Sequence, residues 1–277
     1  MACPHNPNQN RILAAFSAAE AARLTPYLEL VPMPLGEVYY ESGGRLPYLY
    51  FPTTALVSLH SVMKHGASAE IAVVGNDGVL GISLFLDGNN TPSRASVCIA
   101  GYGYRLKTQL LMEEFNRGGP LQRLLLRYAQ ALNSRAAQTA ECNWHHTLSQ
   151  QLCRWLLLTL EHSGSNEINV THEALANILG VRLEDLTDAA NNLQQAALIR
   201  RRRNHITVID RAGLKHRSCV CYDIIRTSIE SLSKGQTQKS SPAAILHNSN
   251  AILYAHRVNC IPRMLKQVRR TPQQPPY

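Results

Sequence analysis

The sequence predicts an α+β chain: a jelly-roll-type β-domain, then helices, then a winged helix-turn-helix. Three observations predict it. Short β-type runs recur about every 8 to 12 residues between Val31 and Leu106, separated by glycine and proline. Helical periodicity replaces them from Leu110 onward. The stretch Thr171–Ala190 then reads as two short helices joined by a tight turn.

Asn10 to Leu30 has helical spacing through Ile12, Leu13, Phe16, Ala19 and Leu24, and Ser17-Ala-Ala-Glu20 resembles a capping box. Examples of the β-type runs are Val38-Tyr-Tyr40, Tyr48–Phe51, Ala55–Leu59, Glu70–Val74 and Ser96–Ala100. From Leu110 to Ala140 a helix is expected, interrupted by the breaker Gly118-Gly-Pro120. Its stripe is Leu121, Leu124, Leu125, Tyr128, Leu132 and Arg135, which suits either a core or a dimer seam. Trp144 to His162 reads as a further helix, with Leu148, Leu152, Trp155, Leu156 and Leu160 on one face.

The helix pair has the residue types such a motif needs. Leu175, Leu179, Val181, Leu186 and Ala189 fall where two crossed helices face a shared core. Ala176 is small where the second helix passes over the first. Gly180 sits at the turn, where a positive φ suits glycine. Thr171 is placed to cap the first helix, with Glu173 in the first turn favoured by the helix dipole. Leu193, Ala197, Leu198 and Ile199 continue the apolar face, and Arg200–Arg203 lead into the alternating run His205–Ile209. Arg203-Asn204 is a candidate hairpin tip. A basic hairpin after a helix-turn-helix is a wing, and its arginines suit phosphate contact.

The 277 residues allow two domains with real cores, and 45% hydrophobic content is that of a globular protein. The formal net charge of +9 is concentrated: residues 233–277 hold seven Lys or Arg and no acid, whereas residues 145–222 hold nine basic residues against seven acids. Positive charge in the motif region is therefore focused in the wing, which fits a local phosphate contact with double-stranded DNA. The Ser-, Gln- and Pro-containing segment 234–277 reads as a disordered basic tail. No apolar run approaches the roughly 18 residues of a membrane span, and the N-terminus lacks an apolar leader segment, so a cytoplasmic protein with no membrane partner is expected.

The seven cysteines are scattered and odd in number, which predicts free thiols. Cys219-Val-Cys221 is too closely spaced for the usual metal knuckle. Cys142 with His145 and His146 forms only a second loose group. No metal and no cofactor are expected. Enzyme motifs are equally lacking. His172-Glu173 begins like a zinc-protease motif, but Ala176 stands where the second histidine ligand belongs.

The order of β-roll, long helix and C-terminal winged helix resembles the bacterial Crp/Fnr superfamily of transcription regulators. The resemblance spans residues 10 to 230. It rests on Leu175-Ala176, Gly180-Val181, Leu193, Ala197–Ile199 and Ile206–Val208, with Glu141-Cys-Asn143 and Arg154–Leu157 resembling one branch. It implies a cyclic-nucleotide-binding-like β-roll at 10–118, a dimerisation helix at 119–140 and a winged helix-turn-helix at 145–222. It further implies a homodimer on a two-fold symmetric operator, a contact with RNA polymerase and an unidentified small effector.

Two departures qualify what the resemblance carries over. Cyclic-nucleotide members hold ribose with a glutamate and the phosphate with an arginine. Here the stretch is Gly78-Val-Leu-Gly81, with Val79 at the carboxylate position and Arg94-Ala95 at its end. A valine leaves a ribose hydroxyl unpaired, costing about 1–3 kcal/mol, so dependence on a cyclic nucleotide is not expected. Gly78, Gly81 and Arg94 remain candidates for a pocket taking another effector. Of the N-terminal cysteines that oxygen-sensing members use, only Cys3 is present.

The second departure is in the recognition helix. Leu183 and Asp188 stand where arginines commonly read guanine, Glu184 keeps the carboxylate, and Arg182 replaces the usual Ser or Thr. The candidate DNA contacts are Thr171, Arg182, Leu183, Glu184, Thr187, Asp188, Arg201, Arg202 and Arg203. The alternative is a β-roll dimer acting as an effector-binding or protein-interaction module with degenerate DNA specificity.

Overall fold

The computed structural model describes residues 6–44, 46–62, 68–87, 91, 93–163 and 165–234. The expected tail at 234–277 lies outside them but for its first residue. Among the described residues, no helix is long and apolar enough to cross a membrane.

The chain opens with two short helices, α1 (Arg11–Ala14) and α2 (Ala18–Leu24), where one longer helix to Leu30 was expected. Asn10 ends the first turn of chain and anchors it. Its side-chain oxygen accepts from the amides of Ile12 and Leu13, while Nδ2 donates to the carbonyls of Pro52 and Gly78 at 2.9 and 2.8 Å. The Ser17–Glu20 capping box forms as its spacing implies.

Among the described residues, seven antiparallel strands then build the β-roll: β1 (Glu29–Met33), β2 (Val38–Tyr40), β3 (Tyr48–Pro52), β4 (Leu56–Val62), β5 (Ser68–Val74), β6 (Arg94–Ile99) and β7 (Gly101–Lys107). They pair as one sheet ordered β1-β7-β3 and a second ordered β2-β6-β4-β5. A short helix, α3 (Leu84–Asp87), lies between β5 and β6. The strands expected from sequence are all present. β1 and β7 fall largely within the expected β region but were not singled out: β1 is interrupted by Pro32 and largely exposed, and β7 by its two glycines, so neither has a clean alternation.

Helix α4 (Thr108–Asn116) stops at Gly118 and Gly119, both at positive φ, and α5 (Pro120–His145) starts on Pro120. Proline at the first helical position costs no hydrogen bond. The expected long helix is thus two helices, and the second runs past residue 140, so Trp144 belongs to its last turn rather than to the next helix. The α5 stripe is core: Leu121, Leu125, Tyr128 and Arg135 are buried against the β-roll or the junction beyond it, with Leu124 and Leu132 half-buried.

The C-terminal half comprises α6 (Leu148–Ser163), β8 (Glu167–Asn169), α7 (His172–Leu179), α8 (Leu183–Gln195), β9 (Ile199–Arg202), β10 (His205–Val208), α9 (Arg211–Arg217) and α10 (Cys221–Lys234). The last two helices were not foreseen. A second core collects Leu152, Trp155, Leu156 and Leu160 of α6 with Leu175 and Leu179 of α7, Leu186 and Leu193 of α8, and Ile206 and Val208 of β10. Leu56 and Cys98 of the β-roll join this core, so α7 packs against the β-roll.

Candidate nucleic-acid interface

The motif assembles as its residue types require. Thr171 caps α7 through Oγ1, which accepts from the amide of Ala174 at 3.0 Å. Gly180 takes φ 67° and ψ 34° between α7 and α8. Ala176 is buried, and its carbonyl accepts from the amide of Val181. Substituting a side chain at Gly180 costs about 1–2 kcal/mol in this left-handed conformation.

At the start of α8 most of the positions named from sequence face outward. Arg182, Leu183, Glu184 and Asp188 are exposed, Leu183 at 39%, and Thr187 is half-buried. Two of them are engaged locally. Arg182 forms a two-point ion pair with Asp185 at 2.9 and 2.8 Å. Thr187 Oγ1 donates to the carbonyl of Leu183 at 2.8 Å. With Glu184, Asp185 and Asp188 against Arg182, this face carries net negative charge, unlike the wing.

The wing is a two-residue hairpin in which Arg202 pairs with His205 and Arg203-Asn204 forms the tip. Arg203 has φ 36°, a conformation costly for a side-chain-bearing residue. The four arginines do not share one role. Arg200, Arg202 and Arg203 are exposed, whereas Arg201 turns inward. Its Nη1 donates to His172 Nε2 at 3.0 Å, and its Nη2 donates to Asn191 Oδ1 at 2.6 Å. Burial and then the Arg201 charge lower the His172 pKa, which keeps the ring neutral and able to accept. Arg201 therefore ties the wing to both helices. The two-residue alternation of a strand separates it from Arg200 and Arg202. Asn191, as the other anchor of this tie, was not identified from sequence.

The three β-roll candidates are not brought together. A Cβ on Gly78 would run into the Tyr128 hydroxyl, and one on Gly81 would lie 2.6 Å from Leu49 Cδ2, so both glycines are packing contacts. Val79 is fully buried in the core. Arg94 lies elsewhere, 3.3 Å from Glu41, in a groove that α7 closes with Thr171, Ala174, Asn177 and Ile178.

Where β-roll, α5 and α6 meet, the buried groups are charged. Arg135 of α5 pairs with Asp77 at 2.7 Å, both at 5% exposure or less. His162 Nδ1 of α6 lies 3.2 Å from Asn76 Oδ1 and 3.5 Å from Asp77. Burial opposes ionisation of Asp77, but Arg135 and then His162 outweigh it and hold the carboxyl below its ordinary value. Burial, reinforced by Arg135, lowers the His162 pKa against the pull of Asp77. Nearby, the Ser58 hydroxyl donates to Glu70, which burial pushes up to about 8 against the opposing influence of Ser58 and Arg154. Glu70, Arg135, Thr139, Arg154 and His162 line one cavity of about 40 Å³.

Residues 150–217 match the family model of the Crp-like helix-turn-helix domain. No curated protein matches the chain. Among solved structures the chain is similar to FixK2 from Bradyrhizobium japonicum, at 15% identity and a TM-score of 0.61 over 70% of this chain and 98% of that one. It is similar to a CRP/FNR-family transcriptional regulator from Thermus thermophilus, at 21% identity and a TM-score of 0.52 over 69% and 98%. It is also similar to CLP, the c-di-GMP-responsive global regulator of Xanthomonas campestris, at 14% identity and a TM-score of 0.50 over 70% and 100%. At these identities the likeness is one of fold. The chain therefore has the fold of the Crp/Fnr transcription regulators and carries, over residues 150–217, a Crp-like helix-turn-helix domain.

Proposed function

We propose that the protein binds a two-fold symmetric operator as a homodimer, reading bases with α8 and phosphates with the β9–β10 wing, and that it does so without a cyclic nucleotide. The observation that carries this reading is the Arg201 tie. It holds an arginine hairpin beside a recognition helix whose Arg182, Leu183, Glu184 and Asp188 remain exposed. The local pairing of Arg182 with Asp185 and the acidity of the α8 face support a narrow choice of base contacts, with Glu184 suited to accept from a cytosine amine. Affinity is then left to Arg202 and Arg203.

The dimer is supported by the outer face of α5. Leu126, Gln130, Asn133, Ala137, Ala140 and Trp144 are exposed and recur at alternating spacings of four and three, the spacing of a coiled-coil seam. Leu126 is 43% and Trp144 84% exposed. The burial of Val79 supports independence from cyclic nucleotides, because the position where that ligand's carboxylate partner belongs faces the core.

Selection of bound duplexes from a random pool, followed by titration across salt concentrations, tests the reading. An enriched motif of two inverted half-sites about one helical turn apart is expected. Arg202→Ala with Arg203→Ala removes four cations from the dimer, two per wing, and should weaken binding to all sequences and reduce the magnitude of the salt slope by about 4. Glu184→Ala should relax choice at one base pair of each half-site, by about 1–3 kcal/mol of discrimination per position. Leu126→Glu should shift the sedimentation profile to monomer and cost operator affinity. Binding with no enriched motif, insensitive to all these changes, would instead support a protein-interaction module.

A further inference from the structure

Two cysteine groups that look unrelated in sequence meet at one point of the fold. Cys142 lies in the last turns of α5, and His146 caps that helix, its amide donating to the Cys142 carbonyl at 3.0 Å. Cys219 and Cys221 stand at the junction of α9 and α10. Val220 between them is 64% exposed, so both thiols turn to the inner side. Cys142 Sγ lies 3.5 Å from Cys219 Sγ, and Cys221 Sγ lies 3.5 Å from His146 Nδ1. All four atoms fall within 4.8 Å of one another.

Three buried thiols could be simple packing, since cysteine behaves as a small apolar residue. Packing does not account for the polar groups aimed at the sulfurs. His146 presents a ring nitrogen, and Gln138, one turn before Cys142, donates from Nε2 to Cys221 Sγ at 3.1 Å. An amide donor on a cysteine sulfur is what the outer shell of a thiolate–metal site supplies. The Cys142–Cys219 separation far exceeds the roughly 2.05 Å of a disulfide. Tetrahedral zinc, with bonds of about 2.3 Å to sulfur and 2.0–2.1 Å to nitrogen, holds its ligand atoms roughly 3.5–3.8 Å apart. The observed spacing lies close to that size, and a polynuclear iron–sulfur cluster, with cysteines on separate irons, needs a wider one.

We propose that Cys142, His146, Cys219 and Cys221 form a Cys3His site for one divalent zinc ion, which clips the end of α5 to the α9–α10 junction. Binding releases the three thiol protons to solvent, so affinity falls as pH is lowered. The ligands come from the long helix on one side and from beyond the wing on the other, so the ion fixes the DNA-reading domain against the helix that carries the dimer seam.

Elemental analysis of the full-length protein purified under reducing conditions tests this. One zinc per chain is expected, released stoichiometrically by a mercurial reagent, and cobalt substitution should give the absorption of a tetrahedral thiolate site. Cys219→Ser and Cys221→Ser should abolish retention, while Cys153→Ala, at a buried thiol outside the cluster, should keep it. Because the cysteine variants risk misfolding, two milder measurements stand beside them. Gln138→Ala should weaken zinc about 10- to 100-fold in competition with a chromophoric chelator. Chelation of the wild-type protein should lower its melting temperature, with recovery on adding zinc alone. A protein with no bound metal whose melting ignores zinc, iron with sulfide in place of zinc, or a Cys142–Cys219 disulfide in anaerobically purified material would each overturn the proposal.

Discussion

The two halves of α5 are held by different chemistry. In the first half, Leu121, Leu125 and Tyr128 are buried against the β-roll core at 1% exposure or less. In the second, the buried side chains are Arg135, Thr139 and Cys142, and their partners come from other segments: Asp77 before the β-roll's later strands, Arg154 of α6, and Cys219 beyond the wing. Apolar burial is non-directional and tolerates small adjustments, so the first half is fixed to its own domain. A buried charge must find one partner at one distance. The second half is therefore where the packing of the helix-turn-helix domain depends on specific pairs.

The largest effect should come from breaking one of those pairs. Arg135→Ala leaves the Asp77 carboxylate buried without its cation and should cost about 3–5 kcal/mol in urea denaturation. Asp77→Asn combined with Arg135→Met should recover most of that loss. Leu125→Ala in the apolar half should cost about 2–5 kcal/mol with no comparable rescue from a second site. Equal rescue at both positions would remove the distinction between the halves.

Titration sharpens the same contrast. The depressed pKa of Asp77 contributes stability that is present above the ordinary carboxylate value and lost as pH falls through its folded value. His162, also depressed, resists protonation when folded, so stability falls as pH drops below its ordinary value of 6.5. Glu70 acts in the opposite sense. Raised from 4.5 to about 8, it contributes stability below 4.5 that is lost as pH climbs through about 8. Glu70→Gln should remove this last dependence: wild type should lose stability relative to the variant between pH 5 and 8, with a limiting slope of about 1.4 kcal/mol per pH unit. Parallel pH profiles for the two proteins would refute the buried, protonated carboxyl.

The smallest effects lie outside α5. Ala197, after α8, has φ 56°, and the amides of Ala197 and Leu198 bond back to Gln194 and Leu193. This is a helix-ending position that favours glycine, so Ala197→Gly should raise stability by about 1 kcal/mol. Arg203→Gly should do the same at the wing tip while lowering DNA affinity, which separates the backbone effect from the charge.

Local patterns were legible where one segment decided its own structure. The alternation of β2 to β6, the Ser17 box, the Thr171 cap, the Gly180 turn and the Arg203-Asn204 tip could all be read from neighbours within a few residues. The long-range partners could not. Nothing near Arg135 announces Asp77, and nothing near Cys142 announces Cys219, 77 residues away. The α5 stripe was ambiguous because one helix has two useful faces. The inward one is core, and the exposed row of Leu126, Ala137 and Trp144, the proposed seam, becomes visible only once burial removes the other. Strand alternation held the clue that Arg201 differs from Arg202, but a run of four identical residues hid it.

Because α5 is one unbroken helix of 26 residues, it is a rod about 39 Å long. A tilt of about 5° about one end moves the other by roughly 3.4 Å, the rise of a single base pair. If α8 reads bases as proposed, leverage of that size makes its register on the duplex sensitive to small changes of angle at the polar junction.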